Sequence, residues 1–368
     1  MALSRIDTTN MIEDVPQSKL DNNINFRNII INGDMSIAQR GTSSTNVSTG
    51  YHTVDRFQLT RGAGALNVSQ ETDAPTGQGF AKSFKVIDTS GSSPGASDTN
   101  IFLQRIEGQN LQYLKKGTSS AESLTLSFWI KAKVTGTYIV ELYDSDNTRQ
   151  ISKTYTVSSS ETWEKKTITF AGDTTGTLDN DNAVSLALQF WFTAGSNFTS
   201  GTLNTSWNSA TNANRAVGLT NALASANDYV QITGVQLEAG TTASDFEFLP
   251  VDVNLDRCYR YYQNLPYAFD TPICNANAWS STTAYGVMHL FSTMRTRPSL
   301  DQVTGTSYYR FYNTGDSNDL FDSFTIQSEG NGNVVRLQNT DSISATAGDG
   351  GWFVMVNGSS YLAFDAEL

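Results

Sequence analysis

Leu124-Thr-Leu-Ser-Phe-Trp-Ile-Lys-Ala-Lys-Val134, followed after Thr135-Gly136-Thr137 by Tyr138-Ile-Val-Glu-Leu-Tyr143, is the stretch that decides the fold. Its apolar residues recur at a period of two, the spacing of a strand with one face on a core. Glycine tolerates the positive φ of a tight turn, so Gly136 predicts a hairpin between the two runs. Toward the N-terminus, similar short runs follow Asn28-Ile-Ile-Ile-Asn-Gly33: Arg56 to Thr60, Ala65 to Gln70, Ala81 to Ile87 and Ile101 to Ile106. Toward the C-terminus come Ser152 to Val157, Lys165 to Phe170, Val184 to Phe192 and Tyr229 to Leu237. Val184 to Phe192 is apolar enough to be covered on both faces. Gly, Pro, Asp, Ser and Asn fill the gaps, which is the punctuation of an all-β sandwich.

Thr193 to Leu223 is polar and reads as an extended loop, and Phe246-Glu-Phe-Leu-Pro250 leads out of the first domain. Asp252 to Gln263 is the best helix candidate, with Asp252 as its cap and Val253, Leu255, Cys258, Tyr261 and Tyr262 as an apolar face; a turn into a strand at Cys258 is the alternative. Beyond it, Gly286 to Thr293, Ser307 to Tyr312, Phe324 to Gln327, Val334 to Gln338 and Trp352 to Val356 predict a second, smaller β-sandwich. No fixed-period repeat runs through the chain. The expected organisation is an extended segment 1–25, a sandwich over 26–250 and a C-terminal sandwich over 251–368.

The chain has 368 residues, of which 16% are charged, with a formal net charge of −12. That balance opposes binding to nucleic acid, whose phosphates need a positive surface. No run approaches the ~20 apolar residues of a membrane-spanning helix, and Met1 to Asp14 lacks the apolar core of a signal peptide, so synthesis in the cytoplasm without membrane insertion is expected. Cys258 and Cys274 read as buried apolar residues, since two thiols with no nearby histidine make neither a zinc set nor a disulfide framework. His52 and His289 are the two histidines. No pair of carboxylates stands out among 36 acidic residues as a glycosidase pair, and the chain is not expected to be an enzyme.

A sugar-binding site needs an exposed aromatic face beside amide or carboxylate groups. Trp207, in Asn-Thr-Ser-Trp-Asn-Ser, and Trp279, in Asn-Ala-Asn-Ala-Trp-Ser-Ser, fit that need; the competing reading is that each indole pins its own loop or fills a subunit contact. Trp129 and Trp191 lie in apolar strands and are expected in the core. Asp173, Asp179 and Asp181 supply oxygen donors in one region for a structural calcium ion, without the regular spacing of an EF-hand; a solvated acidic loop is the alternative, and no other cofactor is expected. In Tyr308-Tyr-Arg-Phe-Tyr312, alternation sends Tyr308, Arg310 and Tyr312 to one face and Tyr309 and Phe311 to the other. Met11, Ile12, Val15 and Leu20 are sparse apolar points in a segment that cannot fold alone, and they suit docking onto another protein.

Several phrases resemble a family of tailed-phage tail-fibre and virion structural proteins. They are Leu3-Ser-Arg-Ile with Asn10-Met-Ile-Glu-Asp-Val-Pro16, Asn32-Gly-Asp-Met-Ser-Ile-Ala-Gln-Arg-Gly41 with Val54-Asp-Arg-Phe57, Ser127-Phe-Trp-Ile-Lys131, Ile168 to Gly176, Ile232 to Gly240, and Arg257-Cys-Tyr-Arg-Tyr-Tyr262. The resemblance implies a jelly-roll domain like a carbohydrate-binding module, a homotrimer, a place in the virion reached by docking of the N-terminal segment on other virion proteins, and contact with host surface glycans. The architectural alternative is a head-decorating fibre or tail adaptor with no specific ligand. No ligand residue carries over, because the matching phrases look structural.

Overall fold

Apolar alternation becomes strands throughout the computed structural model, which describes residues 26–265, 270–313, 319–327 and 332–368. Met11, Ile12, Val15 and Leu20 lie outside the described residues. The rest divides into two units: residues 26–36, 43–50 and 57–249 form the first, and residues 37–42, 51–56 and 250–368 the second. The sequence reading kept 37–42 and 51–56 with the first sandwich, whereas their packing gives them to the second.

The first stretch of chain supplies strands β1 (Ser43–Ser44), β2 (Gly50–Tyr51), β3 (Gln58–Arg61), β4 (Leu66–Glu71), β5 (Ser83–Asp88), β6 (Thr99–Glu107), β7 (Leu124–Ala132), β8 (Gly136–Asp144), β9 (Arg149–Val157), β10 (Glu164–Phe170), β11 (Val184–Ala194), β12 (Asn208–Ser209) and β13 (Asp228–Ala239). They form a six-stranded sheet, β1-β4-β5-β13-β7-β10, and a seven-stranded sheet, β12-β9-β8-β11-β6-β3-β2. This is the expected jelly-roll sandwich, and aromatic rings join its layers. Phe84 of β5 stacks on Phe102 of β6 at 4.1 Å, and Phe128 of β7 meets the edge of Phe190 of β11 at 5.0 Å. Each such pair contributes about 0.5–1.5 kcal/mol beyond its buried area.

The expected hairpin does not form. β7 pairs with β10 and β13, whereas β8 pairs with β9 and β11 in the opposite sheet. The short connection arches between layers; Gly136, at φ 148°, approaches Thr220 so closely that a Cβ there would lie 2.4 Å from its hydroxyl. Trp129 also departs from expectation, being half-buried: it faces away from the core, opposite Thr233 and Lys165. Trp191 is fully buried, as predicted.

In the second unit, the helix Val251–Tyr259 starts after Pro250, with no side-chain cap, and Asp252 lies inside its first turn instead of capping it. Strands β14 (Tyr262–Asn264), β15 (Thr271–Ala278), β16 (Ala284–His289), β17 (Ser299–Gln302), β18 (Tyr309–Asn313), β19 (Asp319–Phe321), β20 (Phe324–Ile326), β21 (Val334–Asn339), β22 (Gly350–Met355) and β23 (Leu362–Asp365) follow. They make a three-stranded sheet, β14-β23-β17, and a seven-stranded sheet, β19-β18-β22-β15-β16-β21-β20. Tyr309, Phe311, Phe321, Phe324 and Phe353 pack with Leu362 and Phe364 between them. Cys258 is buried, but Cys274 is only partly so; burial pushes its thiol up to about 12.

The segments 37–42 and 51–56 close this unit against its C-terminal end. Arg56, buried and at φ 71°, lies 3.3 Å from the ring centre of Tyr261 and pairs with Glu367. Arg40 lies 3.5 Å over Tyr262 and pairs with Asp365 at 2.9 Å and Glu367 at 3.4 Å. Gln39 bonds Asp55 and donates to the Tyr262 carbonyl at 2.8 Å, and the Tyr51 hydroxyl donates to the Leu368 carbonyl at 3.0 Å. Three of the phrases that carry the family resemblance thus meet in one knot of cations, rings and carboxylates.

Candidate functional site

Strand alternation leaves one side of the seven-stranded sheet in the second unit facing away from the core. Arg310 and Tyr312 of β18 are directly opposite Val354 and Trp352 of β22, while Tyr309 and Phe311 face inward, as the alternation predicted. On β15 the sequence Asn-Ala-Asn-Ala turns Ala276 and Ala278 into the core and Asn275 and Asn277 outward; Asn275 is opposite Trp352, and Asn277 is opposite Tyr285 of β16. Val287 of β16 faces Arg336 of β21, and Tyr285 faces Gln338.

Aromatic rings on this face come in two groups. Tyr312 and Trp352 stack at 4.9 Å with planes 19° apart, and the Arg310 guanidinium sits 5.3 Å over Tyr312. Trp279 meets Tyr285 edge-on at 6.2 Å, and Arg336 lies 4.5 Å over the Tyr285 ring. Trp279 is 71% exposed and Trp352 39%. Between the groups, a register shift separates Pro272 from Cys274 on β15, and an open cleft of ≈ 570 Å³ lies there, lined among others by Ile273, Asn275, Val287, His289 and Trp352. A bulge of this kind bends a strand and re-aims its side chains.

The corresponding outward face of the first unit's seven-stranded sheet is covered by its own chain. Ile101, Leu103, Ile139 and Trp191 pack beneath Ala216, Phe198, Leu203 and Leu219 of the long loop. Arg215 of that loop grips the buried Glu141 carboxylate through Nε at 2.9 Å and Nη2 at 3.0 Å, and the Trp191 indole donates to it at 3.0 Å. The reading of Val184 to Phe192 as covered on both sides is thereby explained.

Trp207 and Trp279 lie in different units. The Trp207 indole donates to the Ala171 carbonyl at 2.7 Å, and its ring lies 4.7 Å from Lys116 Nζ, an arrangement that pins its loop. Lys116 spends its three donors on Asp144, Asp173 at 2.9 Å and the Gly176 carbonyl at 3.0 Å, and Arg149 adds a two-point bond to Asp173 at 2.7 and 2.9 Å. Burial pushes the Asp173 carboxyl up, but the bonds from Arg149 and Lys116 outweigh it and hold it below the ordinary range. Asp173 therefore already neutralises two protein cations, while Asp181 accepts from the Ala183 amide and the Asp179 amide is held by Asp146. Among the described residues, no three His, Cys, Asp or Glu are grouped to hold a metal ion, and the three aspartates are not brought together.

The sequence reading singled out Trp279, Arg310 and Tyr312 but missed Asn275, Tyr285, Arg336 and Trp352 as parts of the same surface; Tyr308, which it sent to the face of Arg310 and Tyr312, precedes the strand and packs against the core instead. The signal was present in the alternation of β15, β16 and β22; the order of strands that brings them side by side was not.

No family model matches the chain, and no curated protein matches it by sequence. Among solved structures it is similar to the enzymatically active domain of tailspike protein 4 from bacteriophage CBA120, at 13% identity over 58% of this chain and 21% of that one, with a TM-score of 0.32. The match thus spans about a fifth of that solved chain. It is also similar to the family 11 carbohydrate-binding module of Clostridium thermocellum in complex with a β-1,3-1,4-mixed-linked tetrasaccharide, at 12% identity over 55% of this chain and 98% of that one, TM-score 0.28. A third likeness is to TmCBM61 in complex with β-1,4-galactotriose, at 10% identity over 58% and 99%, TM-score 0.30.

Proposed function

We propose that the chain is a non-enzymatic phage virion protein, a tail fibre or spike whose second unit contacts host surface glycans. The observation that carries the glycan reading is the outward sheet face on which Tyr312–Trp352 and Tyr285–Trp279 flank Asn275 and Asn277, with Trp279 and Trp352 exposed. Aromatic faces stack on the C–H faces of sugar rings, and side-chain amides donate to and accept from their hydroxyls. The virion setting is supported by the sequence phrases, and with it come a homotrimer and an N-terminal segment that docks on other virion proteins.

The architectural reading, a head fibre or adaptor, uses the same face differently: aromatics and arginines are also what a subunit contact enriches. A glycan array of the purified full chain separates the two. Binding that is lost in Trp352→Ala and Tyr285→Ala, with unchanged thermal unfolding, is the expected result. Absence of binding at high protein concentration, with the same variants shifting a native mass from oligomer to monomer, would leave the architectural reading standing.

A further inference from the structure

From the cleft on the outward face of the second unit we infer which sugars that face selects: neutral 2-acetamido sugars, the N-acetylhexosamines. The inference rests on the glycan reading above and sharpens it. The lining of the cleft comes first. The register shift between Pro272 and Cys274 breaks the ladder of β15 with β22, and the cleft of ≈ 570 Å³ lies at that break, within the range of roughly 300–1,000 Å³ that small-molecule sites occupy. Leu265, Met288 and Met355 of the core form its floor, and the exposed Val287 and Phe291 stand at its mouth. None of the residues that line it is Asp, Glu, Lys or Arg. A charged group would enter without a counter-ion, and a hydroxyl set on the floor would give up its water for no partner. A methyl group loses nothing there and is taken out of water, which is favourable.

The polar groups at the rim decide which methyl-bearing sugar fits. Asn275 lines the cleft, is exposed, and offers an N–H donor and a carbonyl acceptor on one side chain. An acetamido group presents the complementary carbonyl and N–H, so one asparagine answers both while the methyl enters the apolar floor. A 6-deoxy sugar would use the floor but carries no amide beside its methyl. Asn275 is directly opposite Trp352, and cross-strand partners have Cβ atoms about 4.5–5.5 Å apart, so amide and indole can touch the same sugar. Tyr312, on the far side of β22 from β15, covers one face of that indole, and Trp352 itself lines the cleft, where a sugar's C–H face can stack on it. His289, exposed at the same cleft, supplies a further donor or acceptor for a ring hydroxyl.

The test is calorimetric titration of the full chain with β-1,4-linked trisaccharides of N-acetylglucosamine and of glucose, which differ only in the group at C2, and with trisaccharides of N-acetylgalactosamine, galactose and rhamnose. At least one acetamido trisaccharide is expected to bind about tenfold or more tightly than its hydroxyl counterpart, with little dependence on salt because the cleft carries no charge. Asn275→Ala should lower that affinity about tenfold, the loss of its hydrogen bonding, and Val287→Trp, which fills the mouth, should abolish it. Both positions are exposed, and thermal unfolding checks that each variant is folded. Equal binding of the hydroxyl trisaccharides, or binding that neither variant alters, would overturn the acetamido class and keep the glycan reading. A preference for rhamnose would do the same in favour of a 6-deoxy sugar. If neither acetamido trisaccharide binds, the class falls, and the glycan reading falls with it where the array of the purified chain is also blank.

Discussion

Asp55 is buried, and the Lys116 side chain is nearly so. Lys116 has an acceptor for each of its three N–H bonds and so holds the loop bearing Asp173. Asp55 responds chiefly to burial. Burial pushes its carboxyl up to about 6, against the Gln39 bonds and the Arg40 charge that pull it down. A carboxyl raised in the folded state holds a proton that the unfolded chain has released between about pH 4 and pH 6. The stabilisation is therefore complete below pH 4 and is lost as pH rises through 6. Going from pH 7 to pH 5 should make the second unit more stable by about 1 kcal/mol through this group. Urea midpoints measured across that interval check it, and Asp55→Asn should flatten the rise. A rise that survives in Asp55→Asn would assign the effect to another group. Further acidification works the other way through Asp88 and Asp173, whose hydrogen-bonded carboxyls lie below the ordinary range and lose their partners on protonation.

At the level of elements, the segments 37–42 and 51–56 are the least expected feature, because they contribute almost no regular structure to the unit they complete. Arg56 and Arg40 insert beside Tyr261 and Tyr262 and bind Glu367 and Asp365. A fragment of residues 251–368 leaves two tyrosine faces without their cover and Glu367 without Arg40 and Arg56. It is expected to be collapsed and protease-sensitive, whereas a chain beginning at residue 26 should resist digestion. The point version is Glu367→Gln, which leaves Arg56 buried with a weaker acceptor and should cost about 3 kcal/mol in urea unfolding. Glu122→Gln, at the exposed Lys115 pair, should cost less than about 1 kcal/mol. Strand positions were legible because alternation is local: the inward Tyr309 and Phe311 and the doubly covered β11 follow from spacing alone. The β7–β8 arch was not legible, since a three-residue glycine connection serves a hairpin and a layer change equally and the choice is made by partners far along the chain. The role of Arg40 and Arg56 was hidden for the same reason, because Glu367 is more than three hundred residues away. Trp279 was legible as an exposed indole, but its companions Tyr285 and Trp352 come together only through the β22-β15-β16 order.

For the whole molecule, the question is what a chain with two sandwich units does with an open aromatic face and a polar leader. A single sugar-binding face of this kind gives weak affinity, because stacking and a few hydrogen bonds must offset the lost freedom of both partners. Repetition changes that: three copies held together turn the second and third contacts into intramolecular events and raise overall avidity by about 10² or more when the geometry allows simultaneous engagement. A homotrimer and a glycan-binding face therefore support each other as proposals, and docking of the N-terminal segment on a particle is the proposal that completes them. Deleting residues 1–24 separates these roles. The shortened chain is expected to keep its thermal unfolding profile, to remain a trimer by native mass spectrometry and to bind a glycan surface as before, while no longer joining particles in an in vitro assembly assay. If it becomes a monomer, the leader and not the β units holds the copies together; if it still assembles, the docking surface lies in one of the folded units and Met11, Ile12, Val15 and Leu20 have no part in attachment.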